Sequence, residues 1–498
     1  MTRSVLRLTD LMVNVSMVAT ELPADPVISG LSADSRAVKP GFLFAAFKGK
    51  RADGADFIED ALSRGAAALL TGSDGPTVRD VAVPVLIDPN PRRCYALLAA
   101  QFYRKQPKSI AAVTGTNGKS SVVSFLRQIW CLNGRSAASL GTLGLESAPV
   151  SIPLTLTTPD PPVIHDQLAR LATHGVNHLA IEASSHGLDQ HRIDGVNVNM
   201  AGFTNLSRDH LDYHGSLAQY LSAKARLFGD VMAPGGVAVL NRDTPCYPRL
   251  MEICRERDHR VIQYGQGVRK DKGDIGNIDL IDVKATPDGL RLSVGYMGQT
   301  AVVEVSLLGK FQAENLLCAV GLAVADGVPF EAVIECVSSV VGVRGRMELV
   351  GRSHSGAGIY VDYAHTPDAL QSALQALRFH ISGRLHLVFG CGGERDRGKR
   401  SLMGRVAANL SDRVIVTDDN PRGEDAAIIR ADILRDCRNA IEVGDRAAAI
   451  ASSIAQLECG DALLIAGKGH ETHQILGDHT VEFDDATVVR TAVGVQEL

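Results

Sequence analysis

Residues 110–121, Ile-Ala-Ala-Val-Thr-Gly-Thr-Asn-Gly-Lys-Ser-Ser, constrain this chain more than any other stretch. A short apolar strand runs into Gly115, Thr116, Asn117, Gly118, Lys119, Ser120 and Ser121, and Val122, Val123, Phe125, Leu126 and Ile129 follow at helical spacing. A strand, a glycine turn and a helix in that order aim backbone N–H groups and a helix N-terminus at one point, which suits phosphate. Lys119 then reaches the terminal phosphates and Ser120 a metal ion. The strict nucleotide-loop pattern has glycine five residues before Gly118; Val113 stands there, so this is a shortened variant with Gly115 three before.

A chain of 498 residues exceeds one ordinary core, and three domains are expected: 1–107, 108–343 and 344–498. The expected fold is α/β, with a central P-loop-type ATPase domain on a mostly parallel sheet and a Rossmann-like, doubly wound C-terminal domain. The formal net charge of -5, without a basic block, gives no invitation to nucleic acid or an anionic membrane. Nine cysteines without a CxxC pair argue against a disulfide framework or zinc site, and for reduced thiols in a cytoplasm. No signal-like or membrane-spanning apolar run is present, so a soluble monomer is expected.

Short β-rich pieces (42–47, 66–70, 83–87) and a helical stretch near 57–64 make a small α/β unit that ends near Pro107 and Lys108. Strand-like runs at 178–184, 200–204 and 236–240, separated by helical stretches such as 163–173, give a parallel-sheet pattern. Residues 266–308 read as an antiparallel insert, followed by a helix over 312–327. Strands then recur at 358–363, 384–389, 413–417, 442–443 and 461–465 with helices between them, a doubly wound arrangement. Thr366, Pro367 and Asp368 form a helix start, with Thr366 as N-cap.

Glu182 and the pair Asp209-His210 fall at or beyond strand ends of the central domain, where open parallel sheets bind ligands. Glu182 and His210 are therefore candidate magnesium ligands; a strand-end salt bridge and an ordinary turn histidine are the plainer alternatives. Lys224 falls on the apolar stripe Leu217, Leu221, Lys224, Phe228, either snorkelling its head to water or neutralised for a purpose. Four clusters lie at strand ends of the C-terminal domain: Asp362 to His365, Gly392 to Asp396, Asp419 to Arg422 and Gly467 to Glu471. In them Arg395 and Arg422 suit carboxylates, and Glu471 suits an amine.

Six fragments in order, TGTNGKSS, EASSHGLDQHR, FTNLSRDHLDYHG, GKFQAENLLCA, GRMEL and VDYAHTPDAL, resemble the Mur ligases, ATP-dependent amino-acid ligases of peptidoglycan precursor synthesis. DDNPR at 418–422, GKGHE at 467–471 and DSR at 34–36 resemble the members that add meso-diaminopimelate to UDP-N-acetylmuramoyl-L-alanyl-D-glutamate. The resemblance implies amide formation through an acyl phosphate, with Mg2+ and ATP. It places ATP on Gly115 to Ser121, Asn315 and Arg346. Ser35, Lys50, Arg51 and Ala52 would hold the uridine diphosphate end, and Thr157, Thr158, Ser184, Gln190 and Arg192 the sugar-peptide arm. Diaminopimelate would lie on Arg395, Asp419, Asn420, Pro421, Arg422, Gly467 and Glu471. Ser120, Glu182, His210 and Lys224, the last as a carbamate, would serve the metal, and Lys119, Lys224, His210 and Glu182 would be the catalytic set. Arg344 departs from the proline that relatives often carry before Gly-Arg. A lysine-adding Mur ligase, a folylpolyglutamate-type ligase and a nucleotide-gated switch are the alternatives.

Overall fold

The computed structural model describes residues 5–13, 15, 22, 24–49, 52–73, 81–147, 150–152, 156–268, 275–286 and 289–494. By internal contacts the chain divides into one unit of residues 1–114, 134–201 and 223–236, and a second of 115–133, 202–222 and 237–498.

In the first unit, Gly30–Ser32, Phe42–Ala45, Ala68–Thr71 and Val85–Ile87 pair in that order as a parallel four-stranded sheet. Side chains alternate across it as strand geometry requires. Leu43 and Ala45 enter one core with Leu70, Tyr95 and Leu98, while Phe44 enters the other with Ile58, Ala61 and Leu69. The helix Pro91–Tyr103 starts on Asn90, whose side chain accepts from Arg93 N, with proline in the first turn. A second sheet in this unit has His178–Glu182 flanked on both sides by parallel strands, Ser109–Thr114 and Ala137–Gly141. The antiparallel strands Gly144–Ser147 and Val150–Ile152 extend it.

In the second unit, Val237–Asn241, Arg260–Gln266 and Asn277–Thr286 run parallel, then Gly289–Tyr296 and Gln299–Val305 turn antiparallel. The expected antiparallel insert is there, but its first strand continues the parallel sheet. The helix Lys310–Ala325 is apolar around most of its circumference and is buried accordingly.

The six C-terminal strands lie in the order Glu348–Arg352, Gly358–Asp362, Ala462–Ala466, Leu385–Phe389, Arg413–Val416, Ile441–Glu442. All neighbours are parallel except the first pair. Leu385, Leu387 and Phe389 face one core and Val388 the other, so helices cover both faces. This is the doubly wound arrangement, and it places the C-terminal ends of four adjacent strands along one edge. Thr366 caps the helix Pro367–Arg378, its hydroxyl accepting from Ala369 N at 3.3 Å. All nine cysteines are free thiols. No helix among the described residues is long and apolar enough to cross a membrane.

Candidate functional site

The phosphate loop is shaped by two glycines that tolerate no side chain. Gly115 has φ 147° and Gly118 φ 88°. A Cβ on Gly115 would lie 1.9 Å from Thr204 Oγ1, and one on Gly118 2.1 Å from Asn315 Oδ1. Val113, standing where the longer pattern has glycine, is instead a fully buried strand residue. Residues 204–207 fix the loop from the side. Thr116 N donates to Asn205 O (2.9 Å), Asn117 N to Asn205 Oδ1 (2.9 Å), and Ser207 N to Thr116 Oγ1 (3.0 Å). Thr204 Oγ1 donates to Asn117 O at 2.6 Å. Lys119 Nζ folds back onto the carbonyls of Gly115 (2.9 Å) and Thr116 (2.8 Å), lying over the loop. Ser120 and Ser121 are buried in the first turn of Lys119–Leu132, and Ser120 Oγ accepts from Arg346 Nη2 at 3.1 Å. Asn315 donates to Gln312 Oε1 at 3.0 Å beside Gly118. The second unit therefore gathers Gly115 to Ser121, Asn315 and Arg346 into one place.

Just after this wall of the loop, His210 takes φ 52° at the start of the short helix Leu211–His214. A left-handed histidine is strained, and it is held between paired neighbours. Arg208 Nε meets Asp396 Oδ2 at 3.2 Å. Asp209 Oδ2 stands 3.4 Å from His210 Nε2 and 3.8 Å from His365 Nε2. Burial works against the Asp209 carboxylate, but the hydrogen bonding and charge of His365 outweigh it and hold its pKa far below the usual range. His210 is more constrained than an ordinary turn histidine.

The first unit builds a separate cluster around Glu182. Its Oε1 accepts from Thr142 N (2.8 Å) and its Oε2 from Thr142 Oγ1 (3.2 Å), so the strand-end salt bridge is not what the carboxylate makes. Thr157 Oγ1 meets Thr142 Oγ1 at 3.0 Å. Thr158 Oγ1 donates to Glu182 O and accepts from Ser184 N, both at 3.0 Å. Arg192 donates to Thr158 O (2.8 Å) and to Gln190 Oε1 (2.7 Å). Thr157, Thr158, Ser184, Gln190 and Arg192 are thus one connected network with Glu182. Ser35 is buried in the first turn after Asp34, which takes the Arg36 guanidinium in two 2.9 Å bonds. Ala52 closes a turn by accepting from Gly49 N at 3.0 Å, while Lys50 and Arg51 lie outside the described residues.

Lys224 corrects the expected stripe. Leu217 at its start is 46% exposed, whereas Lys224 is 1% exposed and Phe228 fully buried. Packing begins only part-way along Leu217–Arg226, ahead of a wider π-helical turn over Leu227–Val231. The lysine head does not snorkel to water.

The four C-terminal clusters do converge, on the common edge of the six-stranded sheet. Gly467 has φ 116°, and a Cβ there would sit 2.6 Å from Asp419 Oδ2. Asp419 and Asn420 are buried, and Asn420 Nδ2 donates to Glu471 Oε2 at 2.8 Å. Arg422, at φ 52°, gives Nη1 to Gly393 O at 2.9 Å. It neither caps the next helix, which Asp425 does, nor meets Glu424, which Arg400 and Arg397 take at 3.0 Å. Burial and then the nearby charge of Arg395 lower the Arg422 pKa, against the opposing charges of Asp419, Glu471 and Glu394. Arg395 is exposed, its Nη1 on Glu394 O at 3.2 Å.

Sequence reasoning gave no role to Tyr363 or His470, whose rings link these groups. The Arg346 guanidinium lies 4.3 Å over the Tyr363 ring, which stacks 5.2 Å from His470. Burial, then Arg346, Arg344 and Lys468, push His470 down to about 3, leaving it neutral. Arg344, the departure from proline, pairs with Asp484 at 2.6 Å. Adjacency of Tyr363 to Asp362 and of His470 to Glu471 was the available signal.

A glycine-shaped phosphate loop beside a carboxylate- and amine-matched crevice defines a class, the nucleotide-dependent ligases of α/β fold. Residues 113–323 match the Mur ligase middle domain, 345–469 the Mur ligase glutamate ligase domain, and 27–103 the Mur ligase family catalytic domain. The UDP-N-acetylmuramoyl-L-alanyl-D-glutamate--2,6-diaminopimelate ligase of Bradyrhizobium diazoefficiens is 49% identical over 466 residues, 94% of this chain and 95% of its own. That of Caulobacter vibrioides is 48% identical over 470 residues, 93% and 94%. A solved structure of a ligase with the same name superposes with TM-score 0.69 and 33% identity, covering 98% of this chain and 99% of that one. Folylpolyglutamate synthase of Mycobacterium tuberculosis, with ADP and AMPPCP, shares the fold at 18% identity and TM-score 0.62, covering 81% and 95%. The chain belongs to the Mur ligase family, and it is an ATP-dependent ligase.

Proposed function

We propose that this ligase joins meso-diaminopimelate to the D-glutamyl side-chain carboxylate of UDP-N-acetylmuramoyl-L-alanyl-D-glutamate, as a cytoplasmic monomer, in three domains divided near residues 107 and 343. The observation that carries this reading is the crevice of Arg422, Asn420 and Glu471, which offers a free guanidinium edge to a carboxylate and a carboxylate to the neighbouring amine. Relatives named for that diacid, at up to 49% identity across the chain, support it.

The reaction begins when the glutamyl carboxylate attacks the γ-phosphorus of ATP, with Lys119 placed to follow the charge on the transferred phosphoryl group. ADP departs and an acyl phosphate remains. The free amine of the diacid, oriented by Arg422, Arg395 and Glu471, then attacks the acyl carbon and expels phosphate. No side-chain nucleophile is required. Asn315 and Arg346 border the nucleotide, with Arg346 on Ser120. Ser35, Lys50, Arg51 and Ala52, and the Glu182-linked network of Thr157, Thr158, Ser184, Gln190 and Arg192, are the proposed grip on the UDP-sugar-peptide.

Mg2+ supplies charge neutralisation on the phosphates when bound. Its proposed ligands are Ser120, Glu182, His210 and Lys224. A hydroxyl and a carboxylate suit a hard cation, the His210 imidazole is the softer member of the set, and carbamylation would turn the buried Lys224 into a further oxygen donor. A folylpolyglutamate-type activity has the weaker support, since such relatives share the fold alone and cover less of the chain. Phosphate release assayed with UDP-sugar-dipeptide and a panel of amino acids tests the reading. Turnover should require both the sugar-dipeptide and meso-diaminopimelate; turnover on a folate and glutamate would overturn it.

A further inference from the structure

Lys468 stands behind the crevice with no exposed side-chain surface. Its ammonium donates to Glu471 Oε2 (3.2 Å), to Asn420 Oδ1 (3.3 Å) and to the His473 carbonyl. An ammonium has three N–H donors, and all three are spent. Asn420 completes the lock: its Nδ2 donates to the same Glu471 oxygen at 2.8 Å, and its Oδ1 accepts from Ile475 N at 3.0 Å. Oε2 of Glu471 is therefore held by two protein donors, while Oε1 has none among the described residues and the side chain stays 31% exposed. One oxygen is anchored and the other is presented.

We propose that Lys468 is a positioning residue that fixes Glu471 as a single-oxygen receptor for the amine beside the far carboxylate, and so sets discrimination between a diamino diacid and its monoamino analogue. The inference rests on meso-diaminopimelate being the substrate. A cation behind the receptor opposes binding of a second cation, so the gain must come from geometry. Glu471 and Asp419 carry two negative charges that Lys468 and Arg422 balance, so an ammonium is drawn by the presented Oε1 of Glu471 and not by a net charge of the crevice. Without Lys468, Glu471 keeps only the Asn420 amide and its carboxylate is free to turn, and a loosely held receptor loses its selectivity first.

The alternative is that Lys468 merely braces the turn over 468–475, in which case its loss weakens every substrate alike. The test compares kcat/KM for meso-diaminopimelate and for 2-aminopimelate, which keeps the far carboxylate and lacks the far amine, in the parent, K468M and K468Q. The parent should prefer the diamino acid by about tenfold or more, because the analogue leaves Glu471 Oε1 without the ammonium it is presented to. Both variants should lose that preference, to within about threefold, with the KM for ATP unchanged. K468Q retains a donor for the His473 carbonyl and so keeps the test open if K468M does not fold. A variant that weakens both amino acids equally and preserves their ratio overturns the proposal while leaving the substrate reading intact. A parent that rejects meso-diaminopimelate overturns both.

Discussion

Lys119 and Lys224 are two lysines whose surroundings set them opposite tasks. Lys119 rests on two loop carbonyls, contacts that an incoming phosphate replaces with stronger charge-assisted ones. Lys119→Ala should abolish phosphate release, by about 1000-fold or more, with an unchanged thermal melt, because it removes a charge that matters most in the transition state. Turnover near the parent's would refute the loop assignment. Lys224 is 1% exposed on a helix that packs, where burial disfavours the charged ammonium. Lys224→Ala should be severely impaired and regain part of its activity with added short carboxylates, which replace a carbamate's anion. Full activity without rescue would exclude the carbamate. Burial rules out a head that snorkels to water, and burial was not readable from the stripe alone, since Leu217, its first member, is exposed.

At the level of elements, legibility followed how local the cause was. The phosphate loop, the Thr366 cap and the C-terminal strands were readable because glycine, proline and alternating apolar residues act within a few positions of themselves. Ala137–Gly141 and Gly144–Ser147 were missed; they are short and small-residue-rich, and pairing with His178–Glu182 makes the first of them a strand. Likewise Asp419 to Arg422 announced a site, whereas its fixing by Lys468, His473 and Ile475 depends on contacts about 50 residues away in sequence. That loop carries the specificity. Pro421 stiffens it, and Arg422 sits at φ 52° with one guanidinium nitrogen committed to Gly393 O. The diacid differs from lysine by one carboxylate, and leaving Arg422 unmatched should disfavour lysine by a few kcal/mol, on the order of 100-fold. In Arg422→Ala the ratio of kcat/KM for meso-diaminopimelate over lysine should collapse towards one. An undiminished ratio would move the specificity elsewhere while sparing the ligase reading.

Across the whole molecule, buried histidines make the fold sensitive to acid. His165, on the helix Pro161–Thr173 of the first unit, is 1% exposed; burial lowers its pKa to about 4, against a partial offset from the Asp194 backbone. His470, in the second unit, is pushed down to about 3. An unfolded chain protonates both near pH 6.5, so between that pH and the folded values the unfolded state binds more protons than the native one. Stability must then rise with pH in this window: each histidine's contribution is complete above about 6.5 and is lost as pH falls towards 4 or 3. The slope is about 1.4 kcal/mol per pH unit per histidine, so His165 alone accounts for about 3 kcal/mol. Melting temperature measured from pH 8 to 4 should fall steeply below 6.5 in the parent. His165→Asn should melt lower at pH 8, through lost packing, yet show a flatter acid limb; His470→Gln should do the same. If calorimetry resolves more than one transition, each variant should flatten its own, since the two histidines belong to different units. Acid limbs parallel to the parent's in both variants would mean that these imidazoles are protonated without penalty, and that acid unfolding is driven by the carboxylates instead.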